Sequence, residues 1–246
     1  MSGTGYDLST SIYSQDGRVF QIEYATKAVD GAETFVGLRT KDGIILACEK
    51  IRNSPLESVD ANRRIFNIEE NIGFGICGRL PDGKNILHRA RKEAKGYRKN
   101  FGRTIPVSVL AERLANYVHA HTIYSQFRPL GCTIFISGYE HEKKKFVLYM
   151  IDNSGNLRSY LGCTSGKGKQ TAKSHLERFD ANQGTQEGLK TVAKAIVAAH
   201  EEFKEKTYEF EVSVISEQSN FKHSVIDYTL RETLRHDAEE ELEENS

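Results

Sequence analysis

Two patterns of apolar and polar positions recur along the chain, and they predict where its strands and helices lie. Apolar, β-branched runs bounded by turn-forming residues predict strands, and apolar residues that return every three or four positions predict helices. The predicted strands are 34–40, 44–50, 65–68, 72–78, 133–138, 146–152, 157–161 and 209–215. The predicted helices are 18–30, 81–100, 106–124, 167–179, 187–206 and a last one that starts near Asp227 and ends at the acidic residues from Asp237.

After the initial helix, the elements follow as strands, a helix pair, strands, a second helix pair, a strand and a helix. Two antiparallel sheets packed face to face, with helices on both outer sides, satisfy this order as an α+β, four-layer αββα sandwich. Two α+β domains divided near 128–131 are the alternative. A single domain over 1–246, with its sandwich at 34–234, is favoured because neither half closes a core of its own.

The N-terminal segment precedes the sandwich and has a different character. Residues 1–15 are rich in small polar residues and predict a tail that is mobile unless it docks on other groups. The helix 18–30 follows, and Asp16 is its predicted N-cap. Its apolar stripe is wide, which indicates contacts on more than one side. The stripe consists of Phe20, Ile22, Tyr24, Ala25, Ala28 and Val29.

Composition limits the classes of partner. The 246 residues include 34 Lys+Arg and 34 Asp+Glu, so the formal net charge is zero, whereas nucleic-acid binding usually needs a basic excess. No apolar run has the length of a membrane span, and the first residues lack the pattern of a signal peptide. We therefore expect no nucleic acid, no membrane, and a cytoplasmic and nuclear location. Cys48, Cys77, Cys132 and Cys163 stand apart in apolar runs and predict buried, reduced thiols.

Several stretches imitate functional motifs without meeting their requirements. The stretch 162–169 is rich in glycine and lysine but lacks the spacing of a phosphate-binding loop, so a strand-to-helix turn is favoured. His119 and His121 point to different helix faces, which argues against a shared metal ion. The acidic end 237–246 is either a solubilising tail or a charged docking tail. We expect no cofactor and no metal.

One motif is specific. Gly17–Ala25 has the pattern Gly-Arg-x-x-Gln-x-Glu-Tyr-Ala, with Tyr6 and Asp7 upstream. Later blocks of the same kind lie at 34–38, 41–44, 62–65, 128–132 and 150–155. Together these residues closely resemble the α-type subunits of the proteasome over about residues 3–234. Residues 3–9 and 117–120 and the acidic end are similar to one branch of that family.

The resemblance implies the N-terminal-nucleophile hydrolase fold with 18–30 as an extra helix. It implies a seven-membered hetero-ring of α subunits, a neighbouring ring of β subunits, and regulatory ATPase or other activator particles that dock on the α ring. The implied gate residues are Tyr6, Asp7, Gln15 and Tyr24, and the implied ring-interface residues are Phe20, Ile22, Tyr24 and Ala28. Arg64 and Gly78 are implied to line an activator pocket. The expected role is a non-catalytic structural and gating subunit in ubiquitin-dependent protein degradation.

Two departures from the family pattern bear on that role. Gln15 stands where the family usually has proline, which leaves the turn less rigid. Arg64 stands where the pocket typically offers a lysine, and this predicts a weakened or altered pocket because the guanidinium fork fits a carboxylate differently.

Catalysis in the proteolytic β relatives needs an N-terminal threonine, whose amine can act as the base. The matching position here is Glu33 or Thr34, behind the tail and the helix. Glu49 is expected in the partner-carboxylate position and Arg64 in that of the catalytic lysine, although arginine stays protonated. We therefore expect no active site. A self-processing N-terminal-nucleophile amidohydrolase that begins at Thr34 is the rival, and a monomeric binding module is a third possibility.

Overall fold

The computed structural model describes residues 5–52, 54, 56–58, 60–203 and 207–244. Within these ranges the helices are α1 (Phe20–Asp30), α2 (Leu80–Phe101), α3 (Val107–Ile123), α4 (Lys169–Leu176), α5 (Thr185–Phe203) and α6 (Tyr228–Glu243). The strands are β1 (Phe35–Arg39), β2 (Gly43–Ile51), β3 (Ile65–Glu69), β4 (Ile72–Gly78), β5 (Cys132–Glu140), β6 (Lys145–Ile151), β7 (Leu157–Ser159), β8 (Gly162–Ser165), β9 (Tyr208–Ser216) and β10 (Ser224–Val225). Residues 1–4 of the predicted tail, 204–206 of the predicted helix 187–206, and 245–246 lie outside the described residues.

The strands form two antiparallel sheets, which we call the first and second sheets. The first has the order β10-β9-β2-β1-β8, and the second has the order β3-β4-β5-β6-β7. One core joins the first sheet to α4, α5 and α6, and another joins the second sheet to α2 and α3. A third core lies between the sheets. The predicted four-layer sandwich is confirmed.

Strand alternation decides which side chains enter each layer. In β1, Val36 faces the helices and Phe35 faces the second sheet, because successive side chains of a strand point to opposite sides. The Phe35 ring stacks on Phe135 with 4.3 Å between ring centroids. A Cβ atom at Gly75 would lie 2.2 Å from the Phe35 ring, so this close approach of the sheets requires glycine.

Several element boundaries differ from the prediction, and three of the differences bear on the segments singled out above. Val19, and not Asp16, is the residue before α1, and no side chain caps this helix. The glycine-rich stretch 162–169 contains β8, which pairs with β1, and the turn to α4 comes after it. Strand β7 ends at Ser159, two residues before the predicted Leu161.

The acidic end is the largest difference. Helix α6 continues to Glu243 and does not end at Asp237, as the sequence predicted. Ala238 is buried in the core that joins the first sheet to its helices, and Leu234 and Leu242 pack against the same core. Glu241 also forms an ion pair with Lys194 of α5. Tertiary packing therefore keeps residues 237–243 helical despite their charge.

The four cysteines are buried and unpaired, as predicted. Burial raises the pKa of the Cys77 thiol to about 12. In the described part of the chain, no helix has the length and apolarity needed to cross a membrane. No group of three or more His, Cys, Asp or Glu side chains in that part is arranged to hold a metal ion.

Candidate functional site

Helix α1 lies across the end of the sandwich where β4 ends and β5 begins. An open cavity of about 250 Å³ separates part of the helix from the loop that precedes β5. Its lining includes Tyr24 and Ala28 from the helix and Arg128 and Gly131 from the loop. An added Cβ atom at Gly131 would lie 3.6 Å from the Ala28 side chain, so helix and loop are in close contact.

Asn153, in the turn between β6 and β7, fastens α1 to the second sheet. Its side-chain amide donates to the main-chain carbonyl of Ile22 and to the Thr26 hydroxyl, both at 3.0 Å. Asn153 is itself buried. The position of α1 on the sandwich therefore depends on hydrogen bonds as well as on apolar packing.

The apolar stripe of α1 remains largely open. Of the residues of this helix, all of which are described, Val29 alone is buried. Tyr24 is 45 % exposed. Ala28 is also exposed, and Phe20 and Ile22 are half-buried. The Phe20 and Tyr24 rings stack with 6.3 Å between centroids. The four implied interface residues thus lie on a helix whose apolar surface the sandwich covers only in part.

The described part of the tail folds back onto α1. The Gln21 amide donates to the main-chain carbonyl of Asp7. The turn before the helix is closed by hydrogen bonds of 2.9 Å from Ser14 N to Arg18 O and from Gly17 N to Ser14 O. Gly17 has φ = +73°, a conformation that favours glycine.

The four implied gate residues are only partly brought together. Asp7 approaches α1 through its main chain, and the Gln15 side chain is exposed in the turn. No hydrogen bond joins the side chains of Tyr6, Asp7 and Tyr24 to one another among the described residues.

The loop beneath α1 is held by an ion pair that the sequence did not reveal. The Arg128 guanidinium donates two 2.7 Å hydrogen bonds to the Asp82 carboxylate of α2, and Gly131 N donates to the same carboxylate at 2.9 Å. Burial acts to raise the pKa of Asp82, but these hydrogen bonds outweigh it and the pKa is lowered. The two residues are 46 positions apart, so no local pattern could have indicated the pair.

Arg64 and Gly78 do lie together. Arg64 Nη1 donates to the Gly78 carbonyl at 2.6 Å, and Nη2 donates to Glu33 Oε2 at 2.8 Å. The Arg64 main-chain N donates to Glu211 at 2.8 Å. Sequence reasoning missed the Glu33 contact. Its consequence is that the Arg64 side chain, which is 9 % exposed, already has a carboxylate partner within its own chain.

Thr34 and Glu49 face away from Arg64. The Thr34 hydroxyl accepts from Gly168 N at 3.2 Å, at the turn into α4. Glu49 contacts His200 of α5, with 2.6 Å between Oε1 and Nδ1, and accepts from Thr34 N at 3.4 Å. Glu49, expected in the partner-carboxylate position, therefore lies on the helix side of the first sheet, because strand alternation turns its side chain toward the helices.

Comparisons with known proteins agree with these features. A family model described as the proteasome subunit matches residues 29–215, and a model for the N-terminal signature of A-type proteasome subunits matches residues 6–28. An alpha type-3 proteasome subunit from Oryza sativa subsp. japonica is 43 % identical over 243 residues, which are 98 % of this chain and 97 % of the relative. The alpha type-3 proteasome subunit from Drosophila melanogaster is 42 % identical over 95 % of this chain and 92 % of its own length. The probable alpha type-7 proteasome subunit of Saccharomyces cerevisiae is 39 % identical over 91 % of this chain and 79 % of its own length.

Proposed function

This chain belongs to the proteasome family as an α-type subunit, and we propose that its role is structural and gating rather than catalytic. The observation that carries the proposal is the arrangement of α1. The helix is fastened to the sandwich by Asn153, yet Tyr24 and Ala28 of its apolar stripe are exposed and Phe20 and Ile22 are only half-buried. A helix held in this way is suited to packing against neighbouring subunits.

The proposed partners follow from this role. Other α subunits form a seven-membered hetero-ring with this chain, and α1 contributes Phe20, Ile22, Tyr24 and Ala28 to the contacts. The β-ring subunits lie on one side of the ring, and regulatory ATPase or other activator particles dock on the other. The assembly acts in ubiquitin-dependent degradation in the cytoplasm and the nucleus.

The absence of catalysis is supported by the surroundings of Thr34. While Thr34 stays internal to the chain, its main-chain nitrogen is part of the peptide bond to Glu33 and donates to Glu49, so it offers no free amine. Its hydroxyl faces α4 and is on the opposite side of the first sheet from Arg64. A self-processing amidohydrolase would need the nucleophile, its amine and a proton-exchanging cation in one cleft.

The gating role is supported by the tail. The Gln21 side chain of α1 donates to the main chain of Asp7 and so holds the tail against this helix. Residues 5–6 come before this point of attachment, further toward the N-terminus. Tyr6, Asp7 and Tyr24 supply hydroxyl and carboxylate groups that can hydrogen-bond with the tails of neighbouring subunits. Such contacts order the tails over the axial pore and control access of substrates.

The test uses assembled core particles that contain this chain with Tyr6→Ala or Asp7→Ala. We expect the rate of small-peptide hydrolysis to change while covalent labelling of the β-subunit nucleophiles stays the same. Tyr13→Ala is the matched control, because Tyr13 lies in the same tail and is 70 % exposed. Unaltered rates in both resting and activated particles would contradict the gating role.

Two mass measurements separate the rivals. A chain that begins at Thr34 in intact-mass spectra would favour the amidohydrolase. A native mass near the 27.7 kDa of one chain would favour the monomeric binding module, whereas the proposal requires a very large complex.

A further inference from the structure

The zero net charge of the chain conceals a strong local imbalance. Helix α2 carries seven basic residues against two acidic ones, and α6 carries six acidic residues against two basic ones. The two helices lie on opposite outer layers of the sandwich, α2 on the second sheet and α6 on the first. Packed sheets are about 10 Å apart, which already equals the distance over which dissolved salt screens exposed charges. The acidic helix therefore does not neutralise the basic one within the chain.

The basic residues of α2 share one face of this helix. Its buried face, which includes Ile86, Ala90 and Ala94, packs on the second sheet. On a helix with 3.6 residues per turn, the exposed basic side chains fall within a separate arc of about 120°, and between positions 84 and 99 no acidic residue lies in that arc. We call this set the basic stripe, and at 1.5 Å per residue it is about 22 Å long. It consists of Lys84, His88, Arg91, Lys92, Lys95, Arg98 and Lys99.

Most of the basic stripe has no acidic partner within the described part of the chain. Arg98 pairs with Glu69 at 2.9 Å, and Arg91 donates to the Asn67 carbonyl at 2.7 Å. The four lysines, in contrast, form no ion pair and no hydrogen bond with the described residues. They are Lys84, Lys92, Lys95 and Lys99. Four exposed positive charges on successive turns of one helix are therefore available to a partner outside the chain.

We propose that the basic stripe of α2 is a docking surface for an acidic helix of another protein. The lysines are separated by eight, three and four positions, which is the period at which a helix repeats one face. A second helix that lies alongside presents its carboxylates with the same period, so the two rows of opposite charge match over several turns. Charges arranged in this way steer association and fix the register of the partner. This docking surface is independent of the proposed role in gating.

Two other anionic partners fit the basic stripe poorly. A helix that reads duplex DNA enters the major groove, whereas α2 lies beside α3 in the outer layer of the sandwich and does not protrude from it. A helix that binds a membrane surface buries its apolar face in the lipid, whereas the apolar face of α2 is already buried in the core. An acidic protein surface is thus the partner that the chemistry of the stripe favours.

The test measures binding of a fluorescent helical peptide to the full-length chain. The peptide carries glutamates on successive turns of one face. A control peptide of the same composition distributes its glutamates around the helix. We expect the one-faced peptide to bind more tightly than the control peptide. Its affinity should fall as salt is added, because salt screens exposed charges.

Replacement of the four lysines should weaken binding of the one-faced peptide about tenfold, the combined effect of four exposed ion pairs of modest strength. The variant is Lys84→Gln, Lys92→Gln, Lys95→Gln and Lys99→Gln. Because these side chains are exposed and make no contacts of these kinds, the melting temperature should not change. The matched control has the same net charge but removes exposed lysines elsewhere. It is Lys41→Gln, Lys144→Gln, Lys145→Gln and Lys222→Gln.

A loss of affinity that is confined to the stripe variant would support the inference. Equal weakening in both variants would overturn it, because overall charge would then explain the binding. Equal affinity for the two peptides would also overturn it, because the helical match would then have no effect. Tighter binding of duplex DNA or of phosphatidylserine vesicles than of the one-faced peptide would assign the stripe to a different class of partner.

Discussion

The Thr34 hydroxyl and the Arg64 guanidinium lie on opposite sides of the first sheet. Thr34 accepts from Gly168 N at 3.2 Å on the helix side, and Arg64 binds Glu33 at 2.8 Å on the side of the second sheet. Glu33 and Thr34 are adjacent in sequence, so strand alternation alone separates them. A threonine and a cation placed in this way cannot act on one substrate.

Thr34→Ala should therefore leave peptide hydrolysis by assembled particles unchanged. We expect only a loss of stability of about 1 kcal/mol, because the hydrogen bond from Gly168 N is lost. The measurement is peptidase activity per particle for each substrate class, with Thr233→Ala on the surface of α6 as the control. Loss of any one peptidase activity with Thr34→Ala would show that this chain carries an active site.

Asn153→Ala should loosen α1 without unfolding the sandwich. The substitution removes the hydrogen bonds to Ile22 O and Thr26, and we expect local stability to fall by about 1–3 kcal/mol. Hydrogen–deuterium exchange should then be faster in residues 20–30 and unchanged in the buried strands. Asn182→Ala, in an exposed loop, is the control. Equal exchange rates in α1 would mean that apolar packing alone holds the helix.

Because of Asp82, the free energy of unfolding should fall at acidic pH. Its pKa is lowered from the ordinary 3.8 of aspartate, so the ionised form is favoured by folding. This contribution is complete above pH 3.8 and is lost as the pH falls through the lower pKa of the folded state.

Asp82→Asn should lower the free energy of unfolding by about 1–3 kcal/mol at neutral pH. It should also reduce the further fall of this free energy at acidic pH. Urea unfolding of the full-length chain at several pH values measures both effects. Glu142→Gln is a suitable control, because Glu142 pairs with Arg103 at an exposed position. A neutral-pH stability equal to that of the wild type would show that the loop does not depend on the pair.

The buried His223 should make the free energy of unfolding depend on pH in a second range. Burial lowers the pKa of His223 from 6.5 to about 4, so folding favours the neutral ring. Above pH 6.5 the ring is neutral in both states and the contribution is complete. Between pH 6.5 and about 4 the unfolded chain binds a proton that the folded chain does not, and stability falls by up to about 3 kcal/mol.

His223→Gln should remove most of this loss, whereas His236→Gln at an exposed position should not. The measurement is the urea midpoint between pH 7.5 and 4.5. A wild-type slope retained in His223→Gln would assign the pH dependence to other groups.

The sequence predicted the parts of the fold that local patterns determine. Strand β4 matches its predicted range 72–78, and α2 and α3 begin and end within one residue of prediction. Strand β8 was missed because Gly162–Ser165 has no apolar run and becomes a strand only by pairing with β1. The predicted last helix ended too early. Its C-terminal part is stabilised by burial of Ala238 in the core that includes α5, and the charged sequence does not show this contact.

The candidate site was less predictable for the same reason. The sequence motif Gly17–Ala25 predicted helix α1 and its apolar stripe. The Glu33–Arg64 and Asp82–Arg128 pairs join residues that are 31 and 46 positions apart. The side of the sheet that Glu49 occupies depends on strand register, and a one-residue difference reverses it. Long-range pairing and register are thus the information that the local patterns lacked.

The uncovered stripe of α1 also has a consequence for how the cell maintains this chain. A copy that is not assembled with other proteasome subunits displays Tyr24 and the half-buried Phe20 and Ile22 on one helix. Chaperones and quality-control proteases act on exposed apolar surface and on marginally stable chains. If neighbouring subunits cover the helix as proposed, surplus copies should be retained or destroyed until they assemble, which ties the abundance of this subunit to that of its partners.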